Sequence, residues 1–427
     1  MAQLYAMRRW CLQSHGISVL GCSSVFGATL QRAILGLHTM VGGEGPLSYA
    51  HNSSCQSFDI YKTGGRGGDE VEGRSDGGEG GGRLGGERKI RGAVDVAKPI
   101  IEEAIKHKLD INELCSNGLM NNFWIADFGC STGHNSFLAM QMITRAIQEK
   151  FQSERLVSQI PDFYVFFNDQ VTNDFNTLFR SLPPERHYRA LGLPGDYHGC
   201  LLPKASLHFA YSSWALHWLS QVPKAVTDPN SPAWNKGRVY YVGAKQEVVD
   251  AYSSQHAKDI GAFLEARAQE LVSGGLMALV FLGSIATSAE NSNASYSDIP
   301  SETALIGSCL MDMAKKGRVS EAKIDSFNFP LYFTFPEELK AVIERNGSYN
   351  IERMETLDNP GKHTLTSAKA RALFHRAVLE GLLIDHFGCE IIDELFDRYA
   401  HKLEISPAIL HPDNDKSIIL FALLKRR

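Results

Sequence analysis

Asp127, Gly129 and Gly133 fall within seven residues of one another in WIADFGCSTGHNSFLA, residues 124–139. An apolar run, residues 123–126, ends in Asp127; the two glycines follow, and a helix-like segment begins near Asn135. Strand, glycine turn and helix form the front edge of an open α/β sheet, where a ligand sits beyond the carboxyl end of the strand. Glycine suits a turn with unusual φ/ψ and close approach of backbone to ligand. The two glycines are four apart, so the pattern is not G-x-G-x-x-G, and no Lys-Ser/Thr follows to make a phosphate loop. A turn without either pyrophosphate signature suits a nucleoside lacking phosphates, such as S-adenosylmethionine. On this stretch alone the alternative is an ordinary strand–turn–helix corner.

Two further groups could do chemistry. Residues 162–167, DFYVFF, read as a buried strand and lead into Asn168-Asp169-Gln170. A carboxylate at the end of the second strand is placed to accept from both ribose hydroxyls. Nicotinamide folds put that acid about twenty residues past the turn. Asp169 lies 40 beyond Gly129, which argues against such an enzyme. Downstream, SWALHWLSQVP (213–223) carries Trp214, His217 and Trp218. Helical spacing would bring the two tryptophans side by side. They are core, or the wall of a site, and buried indole N–H groups need partners in either case.

The elements that must position these groups follow from periodicity. Helices are expected at 94–108, 137–151, 173–182, 246–272, 303–316, 336–346, 368–387 and 390–403, with Ser273-Gly274-Gly275 as a helix stop. Strands are expected at 206–212, 276–282 and 417–424, and Gly/Pro-containing 191–202 reads as a turn region. Strands alternating with helices, then a helical block, make this an α/β sheet with an α-helical cap. Residues 42–56 read as a polar loop and 284–301 as a mobile Ser/Asn-rich loop. Glycine makes up about half of 64–86, so 63–92 cannot bury enough surface to offset its ordering entropy and should be disordered.

Composition narrows the function. The 427 residues, 44% of them hydrophobic, suffice for a full core plus a cap. A net charge of −5 gives no basic bias, so nucleic acid is not an expected partner. Eight cysteines are scattered without a C-x-x-C pair, so neither a zinc site nor a disulfide framework is indicated. The expected compartment is reducing and cytoplasmic. No apolar run is long enough for a bilayer span, and no membrane partner is expected. Residues 1–39 lack Asp and Glu and carry Arg8, Arg9 and Arg32. They read as an extension, either a plastid or mitochondrial transit peptide or a by-product of an upstream Met.

The chain resembles the plant SABATH methyltransferases. The resemblance rests on SYAHNSSCQ (48–56), KPIIEEAI (98–105), IADFGCSTGHNS (125–136), FNDQVTNDFNTLFRSLP (167–183), SSWALHWLSQVP (212–223), WNKGRVY (234–240), FLEARAQELVSGGLMALVFLG (263–283), DSFNFPLY (325–332) and HFGCEIIDELFDRY (386–399). It spans residues 40–56 and 93–427; residues 1–39 and the glycine-rich stretch have no counterpart. It implies a Rossmann-like methyltransferase domain over 40–427, with cap segments mainly from 284–416, and a homodimer. It further implies transfer of a methyl group from S-adenosylmethionine to the carboxylate of a small, largely apolar or aromatic acid. An N- or S-methyltransferase of the same family, or a silent acid-binding relative, are the alternatives.

By matching position, Tyr49, Ser53, Asp127, Cys130, Asn135, Asp169 and Gln170 would surround the methyl donor. Asp196 and Tyr197 stand where the family has Ser-Phe beside the adenine. Gln56 and Trp218 match the pair holding the substrate carboxylate, and His217 lines the same pocket. Trp214 replaces a usual Tyr in that pocket. Val41 and His134 also depart from the common residues. Asn235, Asp325, Phe327 (through its carbonyl) and Asn328 match a Mg²⁺ site of some members; hard oxygen donors suit that ion. The competing reading of these four is a turn-stabilising polar cluster without metal. No acid–base residue is expected, because a carboxylic acid with pKa of about 4 is already ionised at neutral pH.

Overall fold

A computed structural model describes residues 93–114, 120–154, 156, 160–285 and 302–427. Several positions singled out above lie outside these residues: the extension at 1–39, Val41, Tyr49, Ser53, Gln56, the glycine-rich stretch, and 286–301 of the Ser/Asn-rich loop.

Helix α1 (Ala93–Lys108) precedes strand β1 (Asn122–Phe128), whose last four residues are all buried. Helix α2 (His134–Ser153) leads to β2 (Asp162–Asp169), buried in the same continuous fashion. Such runs are what a parallel strand covered on both faces requires. β3 (Arg189–Pro194) and β4 (Leu207–Ser213) follow. The long α3 (Gln246–Glu270) passes directly into β5 (Leu271–Ser284). α4 (Glu302–Lys315), α5 (Pro336–Asn346), β6 (Tyr349–Asp358), α6 (Ala368–Phe387), α7 (Ile392–Glu404) and β7 (Ser417–Arg426) complete the described chain.

The seven strands lie in the order β3-β2-β1-β4-β5-β7-β6. β1 pairs in parallel with β2 and with β4, so the chain reverses its direction of travel across the sheet between β1 and β4. A ligand crevice belongs at that switch, outside the carboxyl ends of the strands. β7 is antiparallel to both its neighbours and closes the far side.

Three apolar cores hold this arrangement. On one sheet face, Ile101 and Ile105 of α1 and Phe137, Met140 and Ile143 of α2 pack on Phe123, Val165 and Phe209. On the other, Ile260, Phe263 and Leu264 of α3 and Leu339 and Ile343 of α5 pack on Phe128, Leu279 and Leu420. The third core is the cap, built from α4, α6 and α7. It also takes in Val239–Val242 and the first turns of α3, which carry Val248, Val249 and Tyr252. The cap therefore draws on residues well before 284, while α5 and β6 inside the expected cap range serve the sheet.

Three local expectations are corrected. Residues 189–194 form edge strand β3 where a turn is expected; Gly192 lets the Phe179 ring approach its backbone closely. β6 escapes sequence reading because YNIERMETLD is charged and only partly buried, as suits an edge. Ser273-Gly274-Gly275 does not stop the helix: α3 ends at Glu270, and the glycines lie inside β5, opposite a register shift between Leu207 and Phe209.

Gly129 turns the chain at the end of β1 with φ +88, and a Cβ there would meet the Ala215 Cβ at 2.2 Å. Gly129→Ala should therefore cost about 1–3 kcal/mol through backbone strain and overlap. A fall in thermal midpoint with loss of donor affinity is the expected readout; an unchanged midpoint would contradict this packing.

Candidate functional site

The switch point is built on hydrogen bonds between the ends of β1 and β2. The Asn168 carbonyl accepts from the backbone N–H of Gly129 and of Cys130, both at 2.9 Å. Asp169 Oδ2 accepts from Ser131 N at 2.8 Å and Oδ1 from Gln170 N at 2.8 Å. The Asn173 amide donates to the Ser131 carbonyl, and Ser136 Oγ to the Cys130 carbonyl. Ser131 itself sits at φ 52, unusual for a residue with a side chain. Gly133 caps α2 at φ 108, and a Cβ there would strike the Phe137 ring. The turn is thus a backbone-lined hollow that two side chains and two glycines keep clear.

Asp127 closes the hollow from below. It is buried, its Oδ2 has no hydrogen-bond partner among the described residues, and burial pushes its carboxyl up to about 7, with the nearby Asp169 charge adding to the rise. Burial also raises Asp169, against the two backbone N–H groups that favour its ionised form. The Cys130 thiol is raised by burial and is no nucleophile. Asn135 lies in the first turn of α2, half-buried, and Gln170 is exposed beside Asp169. Structure and expectation agree in bringing Asp127, Cys130, Asn135, Asp169 and Gln170 to one turn.

Asp196 and Tyr197 belong to the loop after β3, and that loop is pinned to the same place. Gly195 N donates to the Asp169 carbonyl, Asn168 Nδ2 donates to the Leu193 and Gly195 carbonyls, and the Tyr197 hydroxyl donates to the Ala215 carbonyl. Asp196 is exposed and held below its ordinary range by His198. Behind the loop lies a fully buried ion pair, Arg267 Nε to Glu270 Oε2 at 2.8 Å. Arg267 donates to the Tyr197 and Gly199 carbonyls at 2.8 Å each, and Glu270 Oε1 accepts from Leu201 N and Leu202 N. The guanidinium also lies 4.1 Å from the Phe128 ring centroid. Sequence reading does not find this clamp, since an (i, i+3) pair on an amphipathic helix ordinarily faces water.

The segment after β4 is not helical. Trp214 has φ 58 and donates its backbone N–H to the Val280 carbonyl; a turn follows, and Trp218 then bridges to Leu331. The tryptophans do not stack on each other as expected. His217 lies between them, its ring 6.3 Å from Trp214 and 5.9 Å from Trp218. It is buried, and burial, aided by His256, pushes it down to about 3, so it is neutral.

Trp214 lines a cavity of about 140 Å³ beyond the carboxyl ends of β4 and β5. Tyr240, Val242, Phe333, Leu365 and Ile409 supply apolar wall; Glu302, Arg371 and Asp415, with a neutral His375, supply a polar one. Its neighbour Ala215 is the residue that packs on Gly129. Glycine turn and cavity are therefore one backbone step apart. Trp214 Nε1 has no partner among the described residues. His217 stands behind this wall against Phe333, and Trp218 packs on the cap core; neither lines the described cavity.

The candidate metal residues do come together, but as a hydrogen-bonded knot. Asn235 Nδ2 donates to Asn328 Oδ1 at 2.7 Å and to the Tyr240 carbonyl, while Asp325 Oδ1 accepts from Gly237 N at 2.7 Å. The orphaned buried atom of the knot is Asn328 Nδ2, a donor, where a cation needs an oxygen. Phe327 is packed among Phe329, His386 and Phe387. This arrangement fits the turn-stabilising reading and does not fit Mg²⁺. Among the described residues there is no group of three or more His, Cys, Asp or Glu that could hold a metal, and no helix is long and apolar enough to cross a membrane.

The family model described as SAM dependent carboxyl methyltransferase matches residues 89–427. The chain is 42% identical over 337 residues to loganic acid O-methyltransferase of Catharanthus roseus, covering 79% of this chain and 89% of that one. It is 39% identical over 368 residues to farnesoic acid carboxyl-O-methyltransferase of Arabidopsis thaliana, with 86% and 92% covered. A solved structure of loganic acid methyltransferase with SAH superimposes at a TM-score of 0.77 and 39% identity, covering 91% of this chain and 99% of that one.

Removing one member of a buried, hydrogen-bonded ion pair strands the other, at a typical cost of about 3–5 kcal/mol. Arg267→Met should lower the unfolding free energy on that scale, and Arg267→Met with Glu270→Leu should cost less than the single change. Denaturant unfolding of the three proteins checks it; a double variant as unstable as the single one would refute the clamp.

Proposed function

The chain belongs to the S-adenosylmethionine-dependent carboxyl methyltransferase (SABATH) family, and we propose that its acid substrate is a compact one seated in the cavity behind Trp214. The enzyme transfers a methyl group from S-adenosylmethionine to the carboxylate of a small acid. The observation that carries the proposal is the single backbone step between Ala215, packed on the donor turn, and Trp214, a wall of the cavity.

The residues of the turn fit the donor. Asp169 is a carboxylate fixed by two backbone N–H groups, with acceptor capacity left for a diol, and Gly129 and Gly133 keep side chains out of the hollow. Bound S-adenosylmethionine supplies a methyl group on a positively charged sulfur. The protein supplies alignment. Holding two reactants in register can account for roughly 7–11 kcal/mol of a barrier. The acid arrives ionised, so no base is required, and the one histidine beside the cavity's indole, His217, is neutral. Neutral N–H donors suit such alignment, since they orient an anion without the ion pair that would bury its charge. We assign that role to the Trp214 indole, whose N–H has no partner among the described residues; of the family's carboxylate pair, Trp218 does not line this cavity and Gln56 lies outside the described residues. The mixed walls argue for a guest less uniformly apolar than the sequence suggested. The homodimer and a cytosolic location are carried with this reading, on the family resemblance and the scattered cysteines respectively. The Asn235 knot is read as structural, with no step through a metal.

Incubation with donor labelled in its methyl group and a panel of small carboxylic acids should give a base-labile methyl ester. A base-stable labelled product would indicate N- or S-methylation; acid binding with no product across the panel would indicate a silent relative.

Asp127 adds a second test. With its carboxyl near 7, it is partly protonated at pH 7. A positively charged ligand entering the hollow favours the ionised form. Donor binding at pH 7 should therefore release a fraction of a proton, seen as a calorimetric enthalpy that varies with the ionisation enthalpy of the buffer. Asp127→Asn should remove the dependence; equal enthalpies for the native chain in all buffers would exclude it.

A further inference from the structure

The charged wall of the cavity is more than its closure. Arg371 Nη1 lies 2.7 Å from Glu302 Oε1 and 3.7 Å from Asp415 Oδ2, and its Nε donates to the Leu365 carbonyl. His375 Nε2 lies 3.3 Å from Glu302 Oε2, and its Nδ1 is paired with the Tyr399 hydroxyl at 2.7 Å. Asn359 donates to Ser417 Oγ beside them. These groups come from the first turn of α4, from α6 and α7, from the segment after β6, and from the loop before β7 and its first residue, so several separate parts of the chain converge on the cavity. Burying charge costs several kcal/mol per ion unless it is paired. An apolar guest alone would not require such an end.

The balance of the cluster has a sign. Two carboxylates face one guanidinium, and His375 is neutral because burial, aided by Arg371, pushes it down to about 3. Above the value of about 7 to which burial raises Glu302, that carboxylate is charged. This end therefore offers acceptor oxygens and no net attraction for an anion. Elsewhere the lining offers N–H and O–H donors: the Trp214 indole and the buried Tyr240 hydroxyl, neither of which has a partner of good hydrogen-bond geometry among the described residues. The lining thus combines free donors, with Trp214 one residue from the Ala215 that packs on the glycine turn, and an acceptor-rich cluster around Arg371. Its volume of about 140 Å³ is close to that of an engineered cavity of about 150 Å³ that takes one benzene ring.

We propose that the Glu302–Arg371–Asp415 end reads a hydroxyl group on the substrate, distal to the carboxylate that is methylated, and turns that carboxylate toward Trp214. The proposal rests on the acid-methylating reading above and names the class of acid: a single-ring or similarly compact hydroxy acid. A site built to bond a hydroxyl discriminates strongly against the analogue lacking it, because its own buried polar groups are then left unmatched.

The test is binding, not turnover, so that it stands apart from the reading on which it rests. Benzoate, 4-hydroxybenzoate and benzene-1,4-dicarboxylate are titrated at pH 8 into the full chain saturated with S-adenosylhomocysteine. The hydroxy acid should bind at least tenfold tighter than benzoate, and the dicarboxylate weakest of the three. Glu302→Gln and Asp415→Asn should each shrink the hydroxyl preference to under threefold and improve the dicarboxylate, with S-adenosylhomocysteine affinity recorded alongside to report the state of the fold. Equal binding of the first two acids, dicarboxylate binding as tight as benzoate, no binding by any of the three, or a preference untouched in both variants would overturn the inference. Methyl ester formation on other acids alongside any of those results would leave the carboxyl-methylating activity standing.

Discussion

Asp169 holds the turn at the end of β1 together by accepting backbone N–H groups from both sides of the crevice. Its Oδ2 fixes Ser131 in a backbone conformation that few side-chain-bearing residues adopt, and the carbonyl beside it, on Asn168, fixes Gly129 and Cys130. With those bonds in place the turn presents backbone rather than side chains, and the loop after β3 has something to lie against through Gly195. The buried Arg267–Glu270 pair then secures that loop from behind. The backbone groups of each layer are largely satisfied by the next, while Asp127 Oδ2, Ser131 Oγ and Asn168 Oδ1 have no partner among the described residues.

The acid side is built on a different principle. Its walls are rings and aliphatic side chains from the cap and from the ends of β4 and β5, with Glu302, Arg371 and Asp415 clustered together. The cap has its own apolar core, so the walls it supplies are held by packing separate from the sheet's two cores, while Trp214 packs on one of those. Trp214 joins the two halves. A bulky residue at φ 58 is costly, and such strain persists where the surroundings over-determine it. Here β5 takes its backbone N–H and the cavity takes its ring.

What could be read in advance follows from how local the signal is. The glycine turn, Asp127 and Asp169 were legible because strand, turn and terminal carboxylate are contiguous, and the physics of a strand end leaves few other uses for them. The α/β sheet and most helices were legible from periodicity. β6 was not, because an antiparallel edge strand carries charges on its open side. The conformation after β4 was not either, since Trp214 and Trp218 have helical spacing and only the tertiary bonds to Val280 and Leu331 decide otherwise. The polar end of the cavity had no sequence signature at all: Glu302, Arg371 and Asp415 lie on separate elements, and only the folded cap assembles them. The Asn235 residues were found, and their pairing with each other fits the turn-stabilising one of the two readings they carried.

Because the lining of the cavity comes from the cap and the ends of β4 and β5, and the glycine turn is built by β1, β2 and the loop after β3, the two sets share almost no side chains among the described residues. Selection can therefore retune one without taxing the other. A duplicated copy of such a chain is free to drift toward a new guest while its methylating capacity is inherited intact, and a lineage built on this layout should diversify at the rim of the cap first.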